Sequence, residues 1–307
     1  MIKYSLKKAI GSIIYNFKKK FGKKDKLTIF LFHEISNQPS LFQKKYNIYH
    51  SISDFKKILN WINQNYNIIS PLEIQNKIEN KALITFDDGY LGTFKNAVPM
   101  MLEKKIPSIH FLNMGPILNH EPNIVSKIDY LSKYDQNFIK FLFEKKIKKK
   151  TIYNINPKLY EEFMKNHKIE IDKIINYQGN LINEKILNQY SENNLVFLGN
   201  HMYDHWNIIK LDSEEIEYYY YKNLEILKKY KNFLNIFSFT HGIPNLNFSK
   251  KNLNQILSFK PLYIFYSSGG NKNHNNLIFD RTFSTNEEIE NKIFYFRQLR
   301  SKYLFNF

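Results

Sequence analysis

The feature that most constrains how this chain can fold is a series of short, largely apolar runs, each closed by polar residues and separated by longer stretches with helical spacing. Residues 27–32, 82–86, 109–112, 195–198, 235–239, 262–266 and 277–279 are such runs. Short continuous runs of this kind predict strands buried on both faces, as in a parallel sheet, not the alternation of an antiparallel sheet with one wet side. The intervening stretches read as helices. Phe55, Ile58, Leu59 and Ile62 share one helical face behind Ser53 and Asp54, and a second helix is expected over about 97–103. Asp212-Ser213-Glu214-Glu215 has the spacing of a capping box opening a helix through Leu227. Repeated strand, polar loop and helix units predict an α/β fold with a parallel sheet, open or closed into a barrel. Polar residues fall just after the strands, which in a barrel is the carboxyl-end rim where active sites collect.

The chain has 307 residues, 43% of them hydrophobic, with no internal repeat and no Gly/Ser- or Pro-rich linker, so one main domain is expected over residues 27–307. Residues from about 119 to 190 are Lys-rich and helical in pattern with no clear central strand, and read as an insertion. Residues 1–26 form a separate basic segment. Ile2, Leu6, Ile10, Ile13, Phe17 and Phe21 recur at steps of three or four among Lys3, Lys7, Lys8, Lys18, Lys19 and Lys20. That is an amphipathic helix, suited either to a membrane surface or to docking on the protein's own core. Charges interrupt it too often for a cleavable signal, and no apolar stretch reaches the roughly 18 residues of a spanning helix. The expected location is therefore cytoplasmic or peripheral at a membrane surface.

A formal net charge of +17 favours anionic partners: headgroups, acidic glycans or nucleic acid. Lysines are spread along the whole chain, with no arginine-rich block or zinc-finger spacing, which argues against nucleic acid. Cysteine is absent, so disulfides and thiolate metal sites are excluded and any metal must be held by His, Asp or Glu.

Two constellations fit that donor set. Asp87 and Asp88 are adjacent carboxylates ending an apolar run, where neighbouring side chains diverge, so one can act as ligand and the other as base. Asp-Asp-Gly alone equally describes a solvated turn. His201 and His205 are four apart, a spacing that on a helical turn aims both imidazoles the same way. One Asp and two His, each just after a strand, supply N and O ligands and leave a coordination position for water.

Thr85-Phe86-Asp87-Asp88-Gly89-Tyr90 resembles the first motif of the polysaccharide deacetylases of the NodB homology type, and Gly199 to His205 with Ile208 resembles their second. The flanking 27–36 and 53–74 stretches are similar to the first strand and following helix of capsule-associated and circularly permuted members, so the likeness covers most of the chain from Leu27 on, outside the insertion. The resemblance implies a distorted (β/α) barrel and hydrolysis of N-acetyl groups on amino sugars. It implies a divalent metal, zinc above others, on Asp88, His201 and His205, with Asp87 as catalytic base. Zinc can bring the pKa of a water from 15.7 to about 7 and polarise the acetyl carbonyl.

Two departures stand out. Phe239-Thr240-His241-Gly242 replaces the Pro-aromatic-Gly third motif, which places His241 at the substrate, and the arginine many members carry just before it is missing. Arg281, after the last strand, is the candidate to orient Asp87 near substrate. No histidine follows His274, where the family's usual general acid would lie; permuted relatives place it at the end of the first strand, where this chain has His33. His241 and His274 are the runners-up for that acid. Tyr90 and Trp206 are candidates for a sugar-binding wall; His50, His110, His120 and His167 read as structural or exposed. The partner expected is a carbohydrate, anionic or lipid-linked. The alternatives are hydrolysis of another C–N bond or acyl group on the same metal core, and a glycan-binding protein without catalysis.

Overall fold

The structure is a computed structural model, and it describes residues 4–21, 27–147, 155–270, 273–274 and 276–298. Helix α1 (Tyr4–Phe21) precedes β1 (Thr28–Phe32) and β2 (Glu34–Ile35). Then come α2 (Leu41–Tyr46), β3 (Tyr49–His50), α3 (Ile52–Asn65), β4 (Asn67–Ile68), β5 (Lys81–Asp87), α4 (Val98–Glu103) and β6 (Ser108–Leu112). Between β6 and β7 (Val196–Asn200) lie α5 (Met114–Asn119), α6 (Ile124–Tyr134), α7 (Gln136–Glu144), α8 (Pro157–Met164), α9 (Ile171–Gln178) and α10 (Glu184–Tyr190). The chain continues through α11 (Ser213–Leu227), β8 (Phe233–Ser238), α12 (Lys250–Ser258), β9 (Tyr263–Tyr266), β10 (Asn273–His274), β11 (Ile278–Asp280), α13 (Asn286–Glu290) and α14 (Ile293–Gln298).

The sheet runs β1-β5-β6-β7-β8-β9-β11 with every one of these pairs parallel. It closes back on itself through Thr282, whose N–H donates to Ile29 O at 2.8 Å and whose carbonyl accepts from Leu31 N at 2.8 Å. The result is a nearly closed, distorted (β/α) barrel, as the buried runs predict. β1, β5, β6, β7, β9 and β11 are buried along their whole length, the signature of strands covered on both faces.

Strand alternation places the chemistry. Ile29, Leu83, Ile109, Phe111, Phe197, Ile236, Phe265 and Phe279 form one cluster on one face of the strands. Steps of two along the same face lead from Leu83 to Thr85 and Asp87, from Phe197 to Gly199 and His201, from Ile236 to Ser238, from Phe265 to Ser267 and from Phe279 to Arg281. An apolar layer therefore carries a polar layer above it at the carboxyl end. Gly199 makes room in this stack, since a Cβ there would lie 2.6 Å from the Phe111 ring and 3.0 Å from Ile236.

The capping box of α11 forms as expected: Asp212 accepts from Glu215 N and Glu215 from Asp212 N, each at 2.9 Å. The helix expected near 97–103 is preceded by a π-helical turn, Thr93–Ala97, where Asn96 Nδ2 donates to Ile35 O at 2.8 Å. One wide turn keeps the segment after Asp88 packed on β2.

α1 docks against α14. A Cβ on Gly11 would meet Lys292 O at 2.2 Å, and Ile14 and Tyr15 pack beside Phe30 and Phe294. The stripe singled out from the sequence largely faces away: Leu6, Ile13 and Phe17 are 50%, 69% and 63% exposed. Ile2, Lys3 and residues 22–24 of that segment, and the side chains of 18–21, lie outside the described residues. No helix among the described residues is long and apolar enough to cross a membrane.

Candidate metal centre

β5 ends at Asp87, and Asp88 and Gly89 then adopt φ of 70° and 74°. Asp tolerates this left-handed turn better than a branched residue does. Asp88 N–H still donates to Phe111 O at 3.1 Å, so the turn is pinned to β6 while the two carboxylates diverge. His201 follows β7, but the residues after it are not helical as the i, i+4 spacing implied. Met202 takes φ 66° and its N–H donates to Asn200 Oδ1 at 2.9 Å, a local side-chain turn that reverses the chain and brings His205 back beside His201. Asn113 Nδ2 donates to the carbonyls of His201 and Met202, and Asn223 Nδ2 to Asn200 Oδ1 at 2.8 Å. These buried asparagines shape the ligand loop, and nothing in their spacing announced them.

Asp88, His201 and His205 converge, all buried, with one ligand atom from each within 4.8 Å of the others. Asp88 Oδ1 is 3.1 Å from His205 Nε2 and 3.6 Å from His201 Nε2. Tetrahedral zinc, about 2.0–2.1 Å from each ligand, spaces its ligand atoms about 3.3 Å apart, so the donors suit such an ion in chemistry and separation. His201 Nδ1–H donates to Ser238 O at 2.9 Å, which directs Nε2 at Asp88. Burial holds the His201 pKa down to about 4, the neutral form a ligand requires. Burial alone would raise Asp88, but the charge and hydrogen bond of His205 pull its carboxyl well below the usual carboxylate range.

Arg281 is fully buried and forks onto Asp87, with Nη1 to Oδ1 and Nη2 to Oδ2 both at 2.7 Å. Its Nη2 also donates to Ser238 Oγ at 2.7 Å and Ser267 Oγ at 3.0 Å. Burial would raise Asp87, and the charge and hydrogen bonds of Arg281, together with the pull of His201 and His33, outweigh it, so the carboxyl is held below its ordinary value.

A cavity of about 700 Å³ opens above this layer, lined among others by His33, Tyr90 and His241 together with Asp87, Asp88, His201 and His205. Burial lowers the His33 pKa against the pull of Asp88 and Asp87. The His241 ring stands edge-on to His205 at 4.7 Å between centroids. Tyr90 lines the cavity but is fully buried, so it offers no open ring face. Trp206, expected on the wall, is instead 5% exposed within the core and edge-on to Tyr160 at 6.0 Å; the turn after Met202 carries it inward. His50, set aside as structural or exposed, lines the cavity, and its Nε2 donates to Ser284 O at 3.0 Å. No sequence spacing links it to the motifs; the parallel pairing of β3 with β2 brings it beside His33. The side chain of His274 lies outside the described residues.

Solved structures with the same architecture have been found. The deacetylase PplD of Streptococcus pyogenes, solved with acetate, superposes at a TM-score of 0.56 with 11% identity over 88% of this chain and 99% of that one. The chain has the polysaccharide deacetylase fold. A polysaccharide deacetylase of Bacillus cereus (0.55, 12%, 88% of this chain and 69% of that one) and a de-N-acetylase of Aggregatibacter actinomycetemcomitans (0.57, 11%, 87% and 99%) share it. At these identities the likeness speaks for the fold. No family model and no curated protein matches the chain.

Proposed function

We propose that this protein is a metal-dependent hydrolase that removes N-acetyl groups from amino sugars of a polysaccharide or lipid-linked glycan. The observation that carries the reading is the junction of two units at the barrel rim: a buried Asp88-His201-His205 donor set, and Asp87 clamped beside it by Arg281. A divalent ion held there, zinc by its fit, would lower the pKa of water and polarise the acyl carbonyl. Asp87, kept ionised by Arg281, takes the proton of the attacking water. His33 lies on the cavity wall, where the charges of Asp88 and Asp87 oppose the lowering of its pKa by burial, and in its protonated form it would give the departing amine its proton. His241 borders the space left for the acyl group, and Tyr90 closes the wall beside Asp88.

The partner we propose is a carbohydrate presented at a membrane surface. α1 docks through Gly11, Ile14 and Tyr15 and leaves Leu6, Ile13 and Phe17 outward beside lysines, which fits an anionic bilayer. Flotation with phosphatidylglycerol vesicles should lose the protein on Ile13→Asp plus Phe17→Asp, whereas unchanged flotation removes the anchor.

The activity is tested by metal content and acetate release from N-acetylglucosamine oligomers, beside Asp88→Ala and His201→Ala/His205→Ala. About one metal per chain, lost with the ligands, and metal-dependent acetate support the reading. Formate or ammonia in place of acetate redirects it to another acyl or C–N bond, and metal-free protein that still binds glycan favours a binding protein.

A further inference from the structure

Tyr90 and Trp206, the aromatics expected to face a sugar, offer the cavity no open ring, the first being fully buried and the second lying in the core. Of the other Phe and Tyr side chains on the cavity wall among the described residues, Phe32 and Phe42 are buried, whereas Tyr46 and Phe283 keep exposed surface. Tyr46 ends α2, in the short excursion that joins β2 to β3. Ser40 Oγ caps the start of α2 by accepting from Gln43 N at 3.2 Å, and Asn47, at φ 52°, ends it with its N–H donating to Lys44 O at 3.3 Å. Asparagine tolerates this left-handed turn. The turn returns the chain so that Glu34 N donates to Ile48 O at 3.1 Å and β3 pairs with β2, which sets Tyr46, Ile48 and His50 on the cavity wall.

The hydroxyl of Tyr46 turns out of the cavity. It donates at 2.8 Å to Oδ1 of Asp129 in α6, a carboxylate that is 1% exposed and does not line the cavity. Asp129 also accepts from Lys45 Nζ at 2.7 and 2.9 Å and from Tyr177 OH of α9 at 2.5 Å, so one carboxylate ties α6 and α9 to α2. The Phe42 ring packs on Tyr46 at 4.7 Å between centroids. What Tyr46 offers the cavity is therefore ring, held at its tip by Asp129 and at its side by Phe42. The C–H groups on the face of a pyranose suit the negative face of an aromatic ring, and a ring already held loses less freedom when a ligand packs on it. Phe283 has no hydroxyl to be held by, and the Arg297 guanidinium stands 4.2 Å from its centroid. Resting on the deacetylase reading for the nature of the ligand, we propose that Tyr46 is the aromatic surface on which the amino-sugar ring packs, and that α6 and α9 hold it in place through Asp129. The segment between β6 and β7, an insertion by its sequence, thus serves as a brace for substrate binding.

The test uses the full chain loaded with zinc and an N-acetylglucosamine tetramer, with binding followed by calorimetry and turnover by acetate release. Tyr46→Leu keeps an apolar side chain but no flat face, and should weaken binding and raise KM by about tenfold or more, with metal content kept and kcat little changed. Tyr46→Phe keeps the ring and loses its tie to Asp129, and should weaken binding by about two- to tenfold. Tyr177→Phe removes the other phenolic bond to Asp129 without touching the cavity wall, so it should lower Tm but leave KM as in the parent. A purely structural role for the network would move KM equally in the two Phe variants. That result, parent-like binding in Tyr46→Leu or in Tyr46→Phe, or failure of the parent to bind the tetramer overturns the proposal. Binding that depends on Tyr46 without any acetate released would sink the deacetylase reading alone, and acetate release with a KM indifferent to Tyr46→Leu would sink the proposal alone.

Discussion

Replacing Arg281 with methionine removes the guanidinium and leaves Asp87 in place, buried at 4% exposure. Two charge-assisted bonds of 2.7 Å are lost, and the carboxylate keeps its burial without its counter-charge. Breaking a buried pair from one side costs about 3–5 kcal/mol. With about 2.1 cal/mol/K of unfolding entropy per residue over 307 residues, a 4 kcal/mol loss lowers Tm by about 6 °C. The sign with pH follows from burial, which raises the Asp87 carboxyl, and from Arg281, which with His201 and His33 overcomes it. In the parent protein the depressed carboxyl contributes stability above its unfolded value, lost as pH falls through the folded one. In the variant burial is opposed only by His201 and His33, so protonation relieves more of the strain of the buried charge, and the deficit should be larger at pH 7 than near pH 4. Urea unfolding at both values measures this, with Asp87→Asn and the double variant completing a cycle. The double variant should recover at least about 2 kcal/mol of the expected sum, because no charge is left stranded. A loss below about 1 kcal/mol, or strictly additive losses, would refute the view that Arg281 holds a charged base. Acetate release should fall together with an upward move of the acidic limb of its pH profile.

Three more outcomes are expected. Glu34, buried with Gly92 N as its hydrogen-bond donor at 3.3 Å, has its pKa raised by burial from 4.5 to about 7, so stability is full below the unfolded value and declines as pH rises through 7. Glu34→Gln should flatten that decline and be up to about 3 kcal/mol more stable at pH 8 by denaturant titration, and an unchanged slope would contradict the assignment. His33→Gln should keep its metal and lose about 10²–10⁴-fold in kcat for acetate release, whereas near-parent turnover would move the acid role to another residue. Gly11→Val places carbon against the Lys292 carbonyl, where a Cβ already lies at 2.2 Å, and should free α1 for faster amide exchange at a cost of about 1–3 kcal/mol. Equal protection of α1 in both proteins would mean the helix does not depend on that contact.

Local chemistry carried much of the fold. The strands, the α3 face and the Asp212 cap were readable because each depends on residues a few positions apart, and burial on both faces leaves no alternation to misread. Boundaries moved where a backbone turn intervened, as at the π-helical turn before α4. The His201/His205 pair was found by spacing, yet the geometry that unites it is a left-handed Met202 with an asparagine network, not a helical turn. Trp206 shows the cost of that difference, because the same turn sends its ring into the core.

By itself, then, the sequence determined the order of buried strands, the donor types available to a metal and the places where those donors meet the rim. Tertiary structure decided which residues act on one another across the barrel. Arg281 reaches Asp87 across 194 positions of chain because β11 closes next to β1 and alternation turns both side chains to the same layer. Likewise, only packing decides which side of α1 is covered and which helices wall the cavity, since an amphipathic pattern states that a face wants burial and not what will bury it.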